Sequence, residues 1–219
     1  RSGIKMIATT TNFPDTRINM LIEKHREHKN LEILRRGTSK SSKRILQCLK
    51  NKEVLVLAID QDTNVLSTWV PFFGIPAKTP VGAARFALKT GASVVSYNVV
   101  RKNNGTFKMQ FENLGTFKRK HETLEQDVFS TLKIMNQHIE KRISENPSQW
   151  AWFHRRWRHR PSEDDLKIVV KIYENFRGKP PSLQQIVAWL DQNPELIIKN
   201  KHSPTVNTDE VNCSLVNDG

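Results

Sequence analysis

Apolar positions early in the chain come as short runs separated by amphipathic stretches. Ile4 to Ala8 and Leu31 to Leu34 predict short strands. Val54 to Ile59 is a continuous apolar run, the pattern of a central parallel strand covered on both faces. Between them Ile18, Leu21 and Ile22 share one helical face behind a capping Asp15 or Thr16. Ser39 to Lys50 forms a second, basic helix with Ile45, Leu46 and Leu49 inward. Strand, helix, strand, helix, strand at this spacing implies right-handed crossovers and a mainly parallel sheet.

Downstream the rhythm changes. Asp60 to Pro80 reads as a long loop, with Trp69–Phe73 briefly extended, and Val81 to Lys89 as a helix packed on small residues. Ser93 to Arg101 and Thr106 to Phe111 alternate and are joined by Asn103-Asn104-Gly105, a hairpin signature. Glu122 to Ile143 is the longest helix, with Leu124, Val128, Leu132, Met135 and Ile139 on one face. Pro147 opens a short aromatic helix. The predicted fold is α/β, a mainly parallel mixed sheet flanked by helices. It occupies residues 1–160, followed by a helical extension over 161–200 (helices at Leu166–Tyr173 and Leu183–Leu190) and a polar, disordered tail over 201–219.

Charge adds a constraint on partners. Lys and Arg total 35 against 22 acids, a net charge of +13, which fits nucleic acid, an anionic membrane surface or a phosphorylated substrate. Cys48 and Cys213 form neither a disulfide framework nor a metal signature. The longest strongly apolar run is far too short to span a bilayer. The start at Arg1, leading straight into a strand pattern, reads as truncated or processed.

Four constellations carry candidate chemistry. Asp60-Gln61-Asp62 follows the Val54–Ile59 strand, where open α/β sheets place ligands; these groups can bind a hydroxyl, an amine or a metal, hold an Arg, or cap a turn. Phe72 and Phe73 can line an apolar groove or simply cover the sheet. Trp150, Trp152, Phe153, His154, Arg155, Arg156 and Trp157 crowd basic and aromatic groups together. The Arg pair suits phosphate oxygens, the Trp rings suit a lipid headgroup layer, and the combination also suits single-stranded nucleic acid. Phe153 is expected in the core. Arg35 and Arg36, at a strand end before the Ser39 helix, form a candidate anion site.

In order and spacing, Asp60-Gln61-Asp62, Val70-Pro71-Phe72-Phe73-Gly74 with Ala77 and Thr79, Thr90-Gly91-Ala92, and Gln149 with Trp152-Phe153-His154-Arg155-Arg156 resemble the lipid A biosynthesis acyltransferases of Gram-negative bacteria. The likeness runs from about Ile4 to Pro161 and implies a glycerolipid acyltransferase-like fold. It further implies an enzyme at the cytoplasmic face of the bacterial inner membrane that moves a fatty acyl group from acyl carrier protein to a hydroxyl of a phosphorylated lipid A precursor. No metal or organic cofactor is implied, and no nucleic-acid partner. Catalysis in this family resembles that of other glycerolipid acyltransferases: a His, four residues, then Asp or Glu, with the His as general base. The resemblance and the constellations together nominate Arg35, Arg36, Asp60, Gln61, Asp62, Phe72, Phe73, Thr79, His154, Arg155 and Arg156 for substrate binding.

The His-x4-acid segment of the family is expected upstream of Arg1, and no catalytic residue is nominated within the chain. The one pair here with that spacing, His159 and Asp164, lies after the C-terminal motif and is read as coincidence. The family also tends to carry Arg-Pro where this chain has Thr9-Thr10-Thr11 before Asn12. If only one of Arg155 and Arg156 faces a cleft, the other is expected to tie the motif to Asp60 or Asp62. Two further readings remain open at this point: a basic nucleic-acid-binding module, and a non-catalytic remnant that keeps lipid binding.

Overall fold

A computed structural model describes residues 4–10, 15–26, 30–35, 39–162 and 164–165. The expected helices at 166–173 and 183–190 and the tail over 201–219 lie outside the described residues. The first third is the predicted crossover arrangement. Strand β1 (Met6–Thr10) leads through helix α1 (Thr16–Arg26) to β2 (Leu31–Arg35), then through α2 (Ser39–Lys50) to β3 (Val54–Val56). All pairings here are parallel, in the order β2-β1-β3. Ile7 of the middle strand is buried, as are Ile45 and Cys48 of α2. Arg44 of α2 bridges Glu32 of β2 at 2.6 Å and Glu53, just before β3, at 3.0 Å, which holds the helix against both strands.

One expectation fails in this region. The run from Val54 to Ile59 is not a central strand covered on both faces: β3 ends at Val56, pairs only with β1 among the described residues, and leaves Val54 exposed. Past Val56 the backbone leaves the ladder and Ile59 turns into the core against Val70, Val128 and Leu132. In α1 the periodicity marks a helix correctly, but Ile18 and Leu21 are exposed, and the side chain of Ile22 lies outside the described residues.

The expected loop from Asp60 to Pro80 is instead a β-hairpin, β4 (Ser67–Phe72) and β5 (Ile75–Pro80). Phe73 and Gly74 form its two-residue turn, both with positive φ (51° and 78°), the conformation that matches the twist of antiparallel strands. Prolines hid it from a reading of the sequence, since they are usually excluded from ladders. The register explains how they fit. Phe72 and Ile75 close the turn as a hydrogen-bonded pair, so Pro71 opposite Pro76, and Pro80 opposite Ser67, fall on the alternate pairs that exchange no hydrogen bonds.

Helix α3 (Gly82–Thr90) follows and ends on Gly91, whose φ of 65° allows its N–H to reach Ala87 O. The next two strands, β6 (Val94–Arg101) and β7 (Phe107–Gly115), form the hairpin that the alternation and the Asn-Asn-Gly turn predict. Helix α4 (Leu124–Glu145) starts with a capping box between Thr123 and Gln126. Its predicted apolar face is the core: Val128, Leu132 and Met135 are buried with Val70, Val81 and Ala84, and Leu124 and Ile139 flank them. Among the described residues parallel pairing is thus confined to β1–β3, while the other strands form two antiparallel hairpins. The fold is mixed α/β. The aromatic helix expected from Pro147 is a single 3-10 turn, Pro147–Gln149.

Candidate functional site

The C-terminal motif folds as a series of turns laid over the β4–β5 hairpin. Gln149 anchors its start: the side-chain oxygen accepts from Arg101 N at 2.7 Å, and the amide donates to Arg101 O at 3.0 Å. Trp150 donates through Nε1 to Asp60 Oδ2 at 3.0 Å. A first turn closes from Ala151 to His154 and a second from Arg155 to Arg158, each by an N–H···O bond between its end residues. In the second turn Arg156 and Trp157 are the central residues and pack onto the hairpin, while Arg155 and Arg158, at its ends, face a common cavity.

Arg156 is one of the most buried side chains, 1% exposed. It donates to Lys78 O at 2.6 Å and to Thr79 Oγ1 at 2.7 Å, and its guanidinium lies 4.9 Å from the centre of the Phe72 ring. Burial lowers its pKa to about 10 against the opposing pull of Asp60 and Asp62, so it remains cationic at neutral pH. Phe72 is fully buried, with Trp150 and Trp157 at 5.7 and 5.8 Å between ring centres. Arg156, Thr79 and Phe72 therefore hold the motif to the hairpin. Arg155 lines the cavity, and Arg156 bonds to β5 instead of tying the motif to Asp60 or Asp62, which act on it as nearby charges.

Asp62 has a separate task. Its side chain is 2% exposed; Oδ2 accepts from His159 N at 2.8 Å, and Oδ1 contacts His159 Nδ1 at 2.5 Å. Arg158 Nη2 lies 3.9 Å from the same Oδ1. The acidic pair after β3 thus fastens both ends of the motif, Asp60 at Trp150 and Asp62 at His159. The His159 ring pairs with Asp62 rather than with the acid five positions on.

Beside this junction lies a cavity of about 300 Å³ lined by Asp62, Phe153, His154, Arg155 and Arg158. Phe153 is not a core residue: it is 81% exposed, with its ring centre 4.7 Å from that of His154. Phe73 stands exposed on the hairpin turn, edge-on to Phe72 at 5.1 Å, so the two Phe residues do not line one groove. Gln61 is half-buried beside the acidic pair. Arg35 ends β2, where its carbonyl accepts from Ser41 Oγ at 2.5 Å, and does not line this cavity; Arg36 lies outside the described residues. Arg158 was missed in the sequence reading. Its three-residue spacing from Arg155, matching a closed turn, is the signal that could have found it. Among the described residues no group of three or more His, Cys, Asp or Glu is placed to hold a metal ion.

The anchors (Asp60, Asp62, Phe72, Thr79 and Arg156) and the Trp152-to-Arg156 motif that they hold fall within one family match. Residues 3–159 match the family described as bacterial lipid A biosynthesis acyltransferase. No curated protein matches the chain. With the match covering most of its length, the chain belongs to the bacterial lipid A biosynthesis acyltransferase family.

Proposed function

We propose that this chain contributes the acceptor-holding part of an enzyme that moves a fatty acyl group from acyl carrier protein to a hydroxyl of a phosphorylated lipid A precursor, at the cytoplasmic face of the bacterial inner membrane. The observation that carries the reading is a cavity rimmed by Arg155, Arg158 and His154 in a chain of this family with net charge +13. A surplus of cations suits all three proposed partners: an acidic carrier protein, a phosphorylated glycolipid and an anionic bilayer. Among the described residues no helix is long and apolar enough to cross a membrane, and the proposed association is peripheral.

For the chemical step the acceptor hydroxyl must lose a proton as its oxygen attacks the thioester carbonyl, and the carrier thiolate leaves. A positioned base contributes roughly 10²–10⁴-fold to such a step. In this reading the family's His-x4-acid pair is not among these residues. His159 serves to hold Asp62 in place and not to take the proton. The purified 219-residue chain is therefore expected to bind acceptor without turning over acyl carrier thioester. Turnover abolished by His159→Ala would assign the base to His159 instead. Binding is tested by competition at fixed salt between vesicles carrying phosphorylated lipid A precursor, plain anionic vesicles and single-stranded DNA. Preferential retention on the precursor supports the reading; preferential retention on DNA replaces it with a nucleic-acid-binding module.

A further inference from the structure

The second turn of the C-terminal motif separates two kinds of arginine. Arg156 has its donors committed to Lys78 O and Thr79 Oγ1. Arg155 is exposed, and its side chain makes no hydrogen bond or ion pair among the described residues. Arg158 is half-buried; its Nε is enclosed without a hydrogen-bond partner, and its nearest carboxylate oxygen is at 3.9 Å, beyond hydrogen-bonding range. Closure of the turn by Arg158 N–H on Arg155 O holds the two backbones together, and both side chains line the same cavity with His154.

An acidic group in that cavity would ordinarily cancel one of these cations. Asp62 lines the cavity too, with Oδ1 3.9 Å from Arg158 Nη2, and its oxygens also accept from His159, so it offsets at most one of the two guanidinium charges. The cavity thus presents two guanidinium forks and an imidazole against a single carboxylate, which leaves cationic groups in excess. Paired forks with several free donors match a tetrahedral dianion whose oxygens each accept more than one hydrogen bond. At about 300 Å³ the space sits at the small end of ligand pockets, enough for a headgroup fragment. Phe153, 81% exposed on the rim, offers an apolar face beside it.

We infer that Arg155, Arg158 and His154 form a phosphomonoester-binding subsite, in which Arg156 takes no part and Phe153 borders the group that carries the phosphate. Lipid and small-molecule phosphates share this chemistry. Assigning the lipid as the source rests on the acceptor reading above.

The test is titration of the 219-residue chain with four ligands: inorganic phosphate, a monophosphorylated glucosamine, the same sugar without phosphate, and the phosphorylated acylated disaccharide in neutral micelles. Arg155→Ala and Arg158→Ala are each expected to weaken the phosphorylated ligands about tenfold, as for loss of one charge-assisted contact. The unphosphorylated sugar should bind at least about tenfold more weakly and be indifferent to both changes. Lys43→Ala, on the exposed face of α2, should change nothing. Because both arginines belong to a surface turn, the Ala variants should melt with the parent. Should either unfold, Arg155→Lys and Arg158→Lys make the same test, keeping the charge but losing the fork. Unchanged affinity in both variants, or equal binding of phosphorylated and unphosphorylated sugar, overturns the subsite and leaves the acceptor reading standing. Arginine-dependent binding of inorganic phosphate and phosphosugar without binding of the acylated disaccharide keeps the subsite and overturns the acceptor reading instead.

Discussion

Two antiparallel hairpins of this protein make opposite use of the same geometry. In β4–β5 the inward side chains Val70, Phe72 and Ala77 are fully buried, and the strand edges receive further ties: Asn136 of α4 donates to Pro71 O at 2.9 Å, and Arg156 to Lys78 O. In β6–β7 the outward face carries Val95, Tyr97, Val99, Phe107, Met109 and Phe111, all exposed. At its open end Val94 and Leu114 pack against the core that α4 shares, and along the rest of its length the hairpin meets α4 through polar groups. Glu112 pairs with Arg142 at 2.7 Å and lies 3.3 Å from His138, and Asp127 gathers the chain leaving β7 through Lys120 N, His121 N and the His121 ring. Alternation along a strand therefore shows that a hairpin forms, and not which of its faces will be covered. The hairpin held by apolar contact is the one that supports the candidate site.

The sharpest way to break the contrast is Phe72→Ala, which empties the space among Trp150, Trp157 and Arg156. It should cost about 4 kcal/mol in denaturant unfolding. Arg156→Met comes next at about 3 kcal/mol, because Thr79 and Lys78 O lose a buried charged donor. A melt indistinguishable from the parent would show that the motif does not hold the hairpin. A milder effect is expected for Glu112→Gln, with amide exchange quickening over residues 94–115 and unchanged over 67–80. The same hold should respond to acid. Burial acts to raise the Glu112 carboxyl, but His138, Lys141 and Arg142 hold it below the ordinary glutamate range. A depressed carboxylate stabilises fully above its unfolded value and loses that contribution as pH falls through the folded one. Exchange over 94–115 should thus accelerate below about pH 4. Asp127 deepens the effect at lower pH. Burial would raise it, yet its hydrogen bonds from Lys120, His121 and Arg119 prevail and hold it at about 2. Least of all, Phe111→Ser on the exposed face should shift stability by no more than about 0.5 kcal/mol. A large loss there would show that the face is covered in solution.

Local pattern alone determined a good deal of this protein. The β1–β3 crossovers, the β6–β7 turn at Asn103-Asn104-Gly105 and the apolar stripe of α4 were all legible, because each rests on periodicity or turn chemistry within a few residues. The family was legible too, since the motifs stand in fixed order along the chain. Other features depended on the tertiary structure. The β4–β5 hairpin was invisible because its prolines are acceptable only in one register, and register is a property of the pair. The roles of Arg155, Arg156 and Arg158 could not be told apart while they were consecutive cations in a string. A closed turn and the arrival of Thr79 and Lys78 O, nearly eighty positions earlier, assign them. Asp62 and His159 are 97 positions apart and meet only because the C-terminal motif folds back over the hairpin. Which cation is buried and which stays at the surface is set by those distant partners, and no local pattern encodes them.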